Sequence, residues 1–350
     1  MIRLLVVEDS QVVQELLNYI FSSDPEIKIV GTAKDGFEAL EKAVLLKPDI
    51  ITMDFNMPNM NGVEATKKIM SSNPIPIVII SGSFETKQVE LTFNAIDAGA
   101  LAVLPKPSSP NHPDFDNMAK ELISAVKAMA EVKLVRRWAK PDNASNVNGL
   151  KIIESYQNIP KIKVIAMGAS TGGPIVLQKI LSGLPKNMPV PVLIVQHMSE
   201  GFIQGFIEWL NHTSSIHVQL GRQGEIPLPG HAYVAPDGLH MGIDKNGRIN
   251  LVNDNPINGL RPTVSYLFRS VANVLGKNVI GVLLTGMGAD GAEELKLMKE
   301  KGAVTIVQDK ESSVVFGMPG EAVKIGAETY ILSPENIISL LTQLTNNINQ

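Results

Sequence analysis

Short apolar runs recur along the N-terminal part of the chain, at Leu4–Val7, Ile27–Gly31, Ile50–Met53, Ile77–Ile80 and Ala102–Leu104. Between them apolar positions fall at helical spacing, as in Val12–Phe21 and Gly36–Leu46. Strands that alternate with amphipathic helices predict right-handed βαβ units and a parallel sheet. The character changes from about Ser108, where a Ser/Pro/Asn-rich turn leads into a helical pattern to about Lys140. The stretch Pro141–Gly149 is polar, turn-rich and aperiodic, which places a linker at roughly 130–158. A second alternating region begins at Lys163–Gly168 and continues with Pro191–Gln196, Val279–Thr285 and Val304–Val307. Buried runs of this length, each ending in Gly, Ser, Thr or His, predict a second parallel α/β sheet.

The chain has 350 residues, enough for two domains that each bury a core. The expected division is 1–125, a helix and linker over 126–160, and 161–350. With no cysteine, thiolate catalysis and disulfides are excluded, so any nucleophile is oxygen or nitrogen. The first residues already form a strand pattern rather than a signal peptide, and no apolar run approaches the ~20 residues that cross a bilayer. A cytoplasmic location and a monomeric state are the expectations. Residues 1–120 hold 10 Lys and Arg against 16 Asp and Glu, and residues 161–350 hold 15 of each. The missing basic excess argues against nucleic acid as a partner.

In open parallel sheets functional residues gather outside the carboxyl ends of the strands. In the first domain, whose five strands suit a flavodoxin-like sheet, that rule collects Glu8 and Asp9, Asp54, Ser81 and Lys106. Three clustered carboxylates call for a cation, and hard oxygen ligands suit Mg²⁺. With the ion bound, Asp54 can attack a phosphoryl group while Lys106 offsets charge and Ser81 bonds the product. The segments Val7-Glu8-Asp9-Ser10, Met53-Asp54-Phe55-Asn56-Met57-Pro58, Asn61-Gly62 and Pro105-Lys106-Pro107 resemble the response-regulator receiver family. The resemblance implies a histidine kinase as donor, Asp54 as acceptor, Glu8 and Asp9 as Mg²⁺ ligands, and a cis Lys106–Pro107 bond.

In the second domain, Val164–Pro174 combines a buried strand, a glycine turn and a helix start with Pro near its beginning. Ser170 stands in that turn, where a nucleophile, an N-cap or an anion-binding loop residue are all possible. A nucleophile needs a base and an orienting carboxylate, and two other strand ends carry His197 and Asp290. The predicted fold is Rossmann-like α/β with the triad order Ser170, His197, Asp290, which differs from the three familiar orders. His112, His212, His217 and His231 lie in turns or polar stretches, and His240 is open between a structural and a direct role.

The segments Gly168–Gly173, Gln196-His197-Met198, Arg261-Pro262-Thr263-Val264 and Thr285–Gly291 resemble the chemotaxis protein-glutamate methylesterase family. That resemblance implies the Ser170–His197–Asp290 triad, an oxyanion site at the amides of Thr171 and Met287, and no cofactor for the esterase. It further implies chemotaxis receptors as substrate, receptor adaptation as the role, membranes met only through receptors, and glutamine deamidation as a second activity. The competing expectation is a receiver fused to a non-catalytic anion- or protein-binding module.

Overall fold

The computed structural model describes residues 1–82, 93–112, 115–132 and 161–346. The first sheet has strands β1 (Ile2–Val7), β2 (Ile27–Ala33), β3 (Ile50–Asp54), β4 (Ile77–Ser81) and β5 (Ala102–Pro105) in the order β2-β1-β3-β4-β5. All neighbours pair parallel. The helices Gln11–Ser22, Gly36–Leu46 and Gly62–Ser72 start where side-chain oxygens of Ser10, Asp35 and Asn61 accept from amides in the first turn. The helix Phe115–Ala130 packs Phe115, Leu122, Val126 and Met129 into the core of this sheet. Most of the expected linker falls in 133–160, outside the described residues.

The second sheet contains β6 (Val164–Ala169), β7 (Val192–Gln196), β8 (His217–Leu220), β9 (His231–Val234), β12 (Val279–Leu283), β13 (Val304–Gln308) and β14 (Tyr330–Leu332); a separate antiparallel hairpin pairs β10 (His240–Ile243) with β11 (Ile249–Val252). The sheet order is β14-β13-β12-β6-β7-β9-β8, parallel throughout. Both sheets are doubly wound, as the apolar runs predict. β6 lies at the point where the chain turns from one half of the sheet to the other, and such points leave a crevice at the carboxyl ends of the strands. His217 and His231, expected in turns or polar stretches, sit opposite each other on β8 and β9. Those strands are short and part-polar, so no apolar run announced them.

Phe93, from the first domain, stacks on Trp209 with ring centroids 5.4 Å apart and approaches Phe206 at 5.5 Å. The Trp209 indole N–H donates to Asp97 at 3.1 Å. The helix Ile203–Thr213 that carries both aromatic partners follows shortly after His197. On the other side, Val314 and Val315 pack against the core of the first sheet.

Candidate active site

At the edge of the first sheet, β1 and β3 are neighbours, so Glu8 and Asp9 meet Asp54. One oxygen from each lies within 4.8 Å of the others. The Lys106 ammonium is 2.9 Å from Glu8 and 3.0 Å from Asp54. Gly62 is required beneath this site, because a Cβ there would lie 2.2 Å from the Asp54 carbonyl oxygen. Burial, then the charge of Asp54, pushes the Glu8 carboxyl up to about 7 against the opposing pull of Lys106. Burial also raises Asp54 despite Lys106. Three carboxylates facing one ammonium keep a surplus of negative charge, and this all-oxygen donor set fits a divalent cation such as Mg²⁺. Ser81 is buried at the end of β4 and its carbonyl accepts the Lys106 amide at 2.9 Å. The expected cis bond at Pro107 is not found: that peptide is trans, the cis peptide among the described residues is Arg261–Pro262, and Lys106 reaches both carboxylates from a trans backbone.

At the edge of the second sheet, Ser170 follows β6, with β12 on one side and β7 on the other. Its amide donates to Thr285 O at 3.0 Å, and its carbonyl accepts from Gly173 at 2.8 Å and from the Gln196 side chain at 2.9 Å. Gly172, at φ 78°, turns the chain into the helix Gly173–Gly183. Gly286 must lack a side chain, because a Cβ would lie 2.7 Å from Ser170 Cβ.

His197 leaves β7 one step beyond the Ala169–Gln196 register pair, its amide bonded to Ala169 O at 2.9 Å. Its Nε2 lies 2.8 Å from Asp290 Oδ2, although their strands stand on opposite sides of β6. Asp290 in turn accepts the amides of Val264 at 2.7 Å and Ser265 at 3.0 Å, the first residues of the helix Val264–Leu275. Burial opposes ionisation of Asp290, but the bonds from His197, Ser265 and Val264 outweigh it and hold the carboxyl below its ordinary value.

The Ser170 hydroxyl itself makes no hydrogen bond among the described residues, as is common before substrate closes a site. The amides of Thr171 and Met287 likewise donate to no acceptor among the described residues. Sequence reasoning missed Thr285, whose buried hydroxyl donates to Thr171 O at 3.0 Å and accepts from Val315 N at 2.9 Å, tying the Ser170 turn to its neighbouring loop. It also missed Gln196, whose amide bridges the carbonyls of Ser170 and His197. A polar residue at the end of an apolar run was the available signal. His240, left open by the sequence, is fully buried on β10 with its Nδ1 3.3 Å from Thr263 Oγ1.

Residues 165–341 match the family described as CheB methylesterase, and residues 4–113 match the response regulator receiver domain. A protein-glutamate methylesterase/protein-glutamine glutaminase of Nitrosospira multiformis is 53% identical over 98% of this chain and 97% of its own length. A second, from Syntrophus aciditrophicus, is 53% identical over 99% of both. The CheB methylesterase catalytic domain of Thermotoga maritima superimposes with a TM-score of 0.51 at 38% identity, over 52% of this chain and 98% of that one. Receiver domains in general are phosphorylated in a Mg²⁺-dependent reaction with a histidine kinase as partner. With the geometry and the near-full-length similarity in agreement, the chain belongs to the CheB methylesterase family and carries a response regulator receiver domain ahead of the methylesterase domain.

Proposed function

We propose that this protein is a phosphorylation-activated protein-glutamate methylesterase and protein-glutamine deamidase of chemotaxis receptors, with Ser170, His197 and Asp290 as its catalytic triad. The observation that carries this reading is the Asp290–His197 bond arching over the strand end that presents Ser170. The chain divides into a receiver over 1–125, a helix and linker over 126–160 and a catalytic domain over 161–350. It works in the cytoplasm as a monomer and meets membranes only through its receptors.

In this reaction the ring nitrogen of His197 not bonded to Asp290 takes the Ser170 proton as Oγ attacks the glutamyl ester carbonyl. The amides of Thr171 and Met287 stabilise the oxyanion. His197 returns the proton to the leaving methoxide, methanol departs, and water activated by the same ring hydrolyses the acyl-enzyme to glutamate. With a glutamine side chain, ammonia leaves instead. Asp290 orients the ring and stabilises its cation.

In the receiver, Asp54 accepts the phosphoryl group, and Glu8, Asp9 and Asp54 hold Mg²⁺, which supplies charge compensation at the transferred oxygens. Lys106 and Ser81 bond the phosphorylated side chain. The contacts of Phe93 and Asp97 with Trp209 support a resting state in which the receiver sits against the catalytic domain near His197. Phosphorylation shifts the population toward release.

The test is methanol release from methylated receptor membranes, with and without a small-molecule phosphodonor. Ser170→Ala is expected to abolish release and fluorophosphonate labelling while Asp54 is still phosphorylated. Retained activity in that variant would refute the triad, and a wild-type chain that neither labels nor releases methanol would favour a binding module.

A further inference from the structure

His240 is a fully buried histidine that the reaction above does not use. Its Nε2 lies 3.2 Å from the carbonyl of Asn255, which can only accept, so that nitrogen carries the hydrogen. In the neutral ring Nδ1 is then a lone-pair acceptor, and the Thr263 hydroxyl at 3.3 Å donates to it. With its hydrogen so directed, Thr263 Oγ1 turns its lone pairs to the Tyr266 amide at 3.2 Å and caps the helix Val264–Leu275. Tyr266 stacks on the His240 ring at 5.0 Å and 17°, which fixes the ring plane.

The two residues after the cap are those whose amides hold Asp290, and Ser265 Oγ also accepts the Gly291 amide at 3.0 Å. Val264 is wedged beneath both Gly168 and Gly291, where a Cβ would come within 2.2 Å and 2.5 Å of it. The height and direction of this helix start therefore set where the Asp290 carboxylate stands against His197.

We propose that His240 is a positioning residue for the hydrolase site, orienting the Thr263 hydroxyl so that the capped helix start holds Asp290 in line with His197. The inference rests on the triad reading and deepens it. A histidine that merely filled the core would be replaced by any flat ring of similar size, whereas this role needs an acceptor at the Nδ1 position.

The experiment uses the full chain and methanol release from methylated receptor membranes in the presence of phosphodonor. His240→Phe, which keeps the flat ring and the stack, is expected to lower kcat about tenfold with KM within about twofold, in the range typical of groups that orient a catalytic ligand. His240→Asn, which restores an acceptor near Nδ1, is expected to recover activity to within about threefold of wild type. Thr263→Val should match His240→Phe, Thr263→Ser should not, and the His240→Phe/Thr263→Val double variant should be no worse than either single change. In an Asp290→Asn background, His240→Phe should have no further effect.

Wild-type kcat in His240→Phe, or independent multiplication of its effect with that of Asp290→Asn, would overturn the inference. Those outcomes leave the triad standing so long as Ser170→Ala is inactive, whereas an active Ser170→Ala variant removes the triad and this role with it. Should His240→Phe fail to fold, the Thr263→Val and Thr263→Ser pair carries the same comparison.

Discussion

Asp290 and His197 are joined by a 2.8 Å hydrogen bond although their strands, β12 and β7, are separated in the sheet by β6. The loop after β12 crosses the end of the strand that presents Ser170, and the carboxylate is held there by two amides of a helix N-terminus. Val264 and Ser265 bond different oxygens of this carboxylate, so Asp290→Asn, which has one amide oxygen, keeps one of the two helix-start bonds and is expected to leave the fold intact. It should reduce kcat by roughly 10³–10⁴-fold, about 4.1–5.4 kcal/mol of barrier, because the ring loses its orientation and its counter-charge. Steady-state methanol release beside an unchanged melting curve checks this.

Gly286→Ala tests the tight approach of backbone to Ser170. The added methyl would meet Met318 Sδ at 2.3 Å and Ser170 Cβ at 2.7 Å. Overpacking of this kind costs about 1–3 kcal/mol. The displaced Ser170 should also lower kcat, so calorimetry is expected to show a lower Tm and the activity assay a loss that persists well below it.

The proposed metal site at Glu8, Asp9 and Asp54 should bind its ion against proton competition. Glu8 is raised to about 7 from an ordinary 4.5, first by burial and then by the charge of Asp54. A group whose folded pKa is raised contributes stability below its unfolded value and loses it as pH climbs through the folded value. In metal-free protein this contribution therefore disappears between about pH 4.5 and 7, the window in which Glu8 ionises. Because Mg²⁺ needs the ionised form, the rise in Tm on adding MgCl₂ is expected to be larger at about pH 8 than at about pH 6. Equal increments at the two pH values would contradict this account.

Trp209→Ala removes both the stack on Phe93 and the bond to Asp97. If this contact holds the resting receiver in place, the variant should release methanol faster than wild type without a phosphodonor, with a smaller gain on phosphorylation. A melting curve identifies any loss from the catalytic core, where Trp209 is also packed.

The apolar runs were enough to define the first sheet and the four central strands of the second, β13, β12, β6 and β7, because strands buried on both faces by flanking helices must be continuously hydrophobic whatever their order. The strand ends were enough to place Glu8, Asp9, Asp54, Ser81 and Lys106 at the edge of one sheet and Ser170, His197 and Asp290 at the edge of the other, because parallel strands deliver their carboxyl ends to one edge. What the pattern left open was adjacency. Only the folded chain decides that β6 lies between β7 and β12, that short β8 and β9 extend the sheet, and that the helix start at Val264 and Ser265 cradles Asp290. Those relations depend on hydrogen bonds and contacts between residues far apart along the chain, which no local periodicity encodes. His240 shows the difference most clearly: the sequence offers an isolated histidine, and its link to Asp290 exists only once β10 is packed against the helix Val264–Leu275.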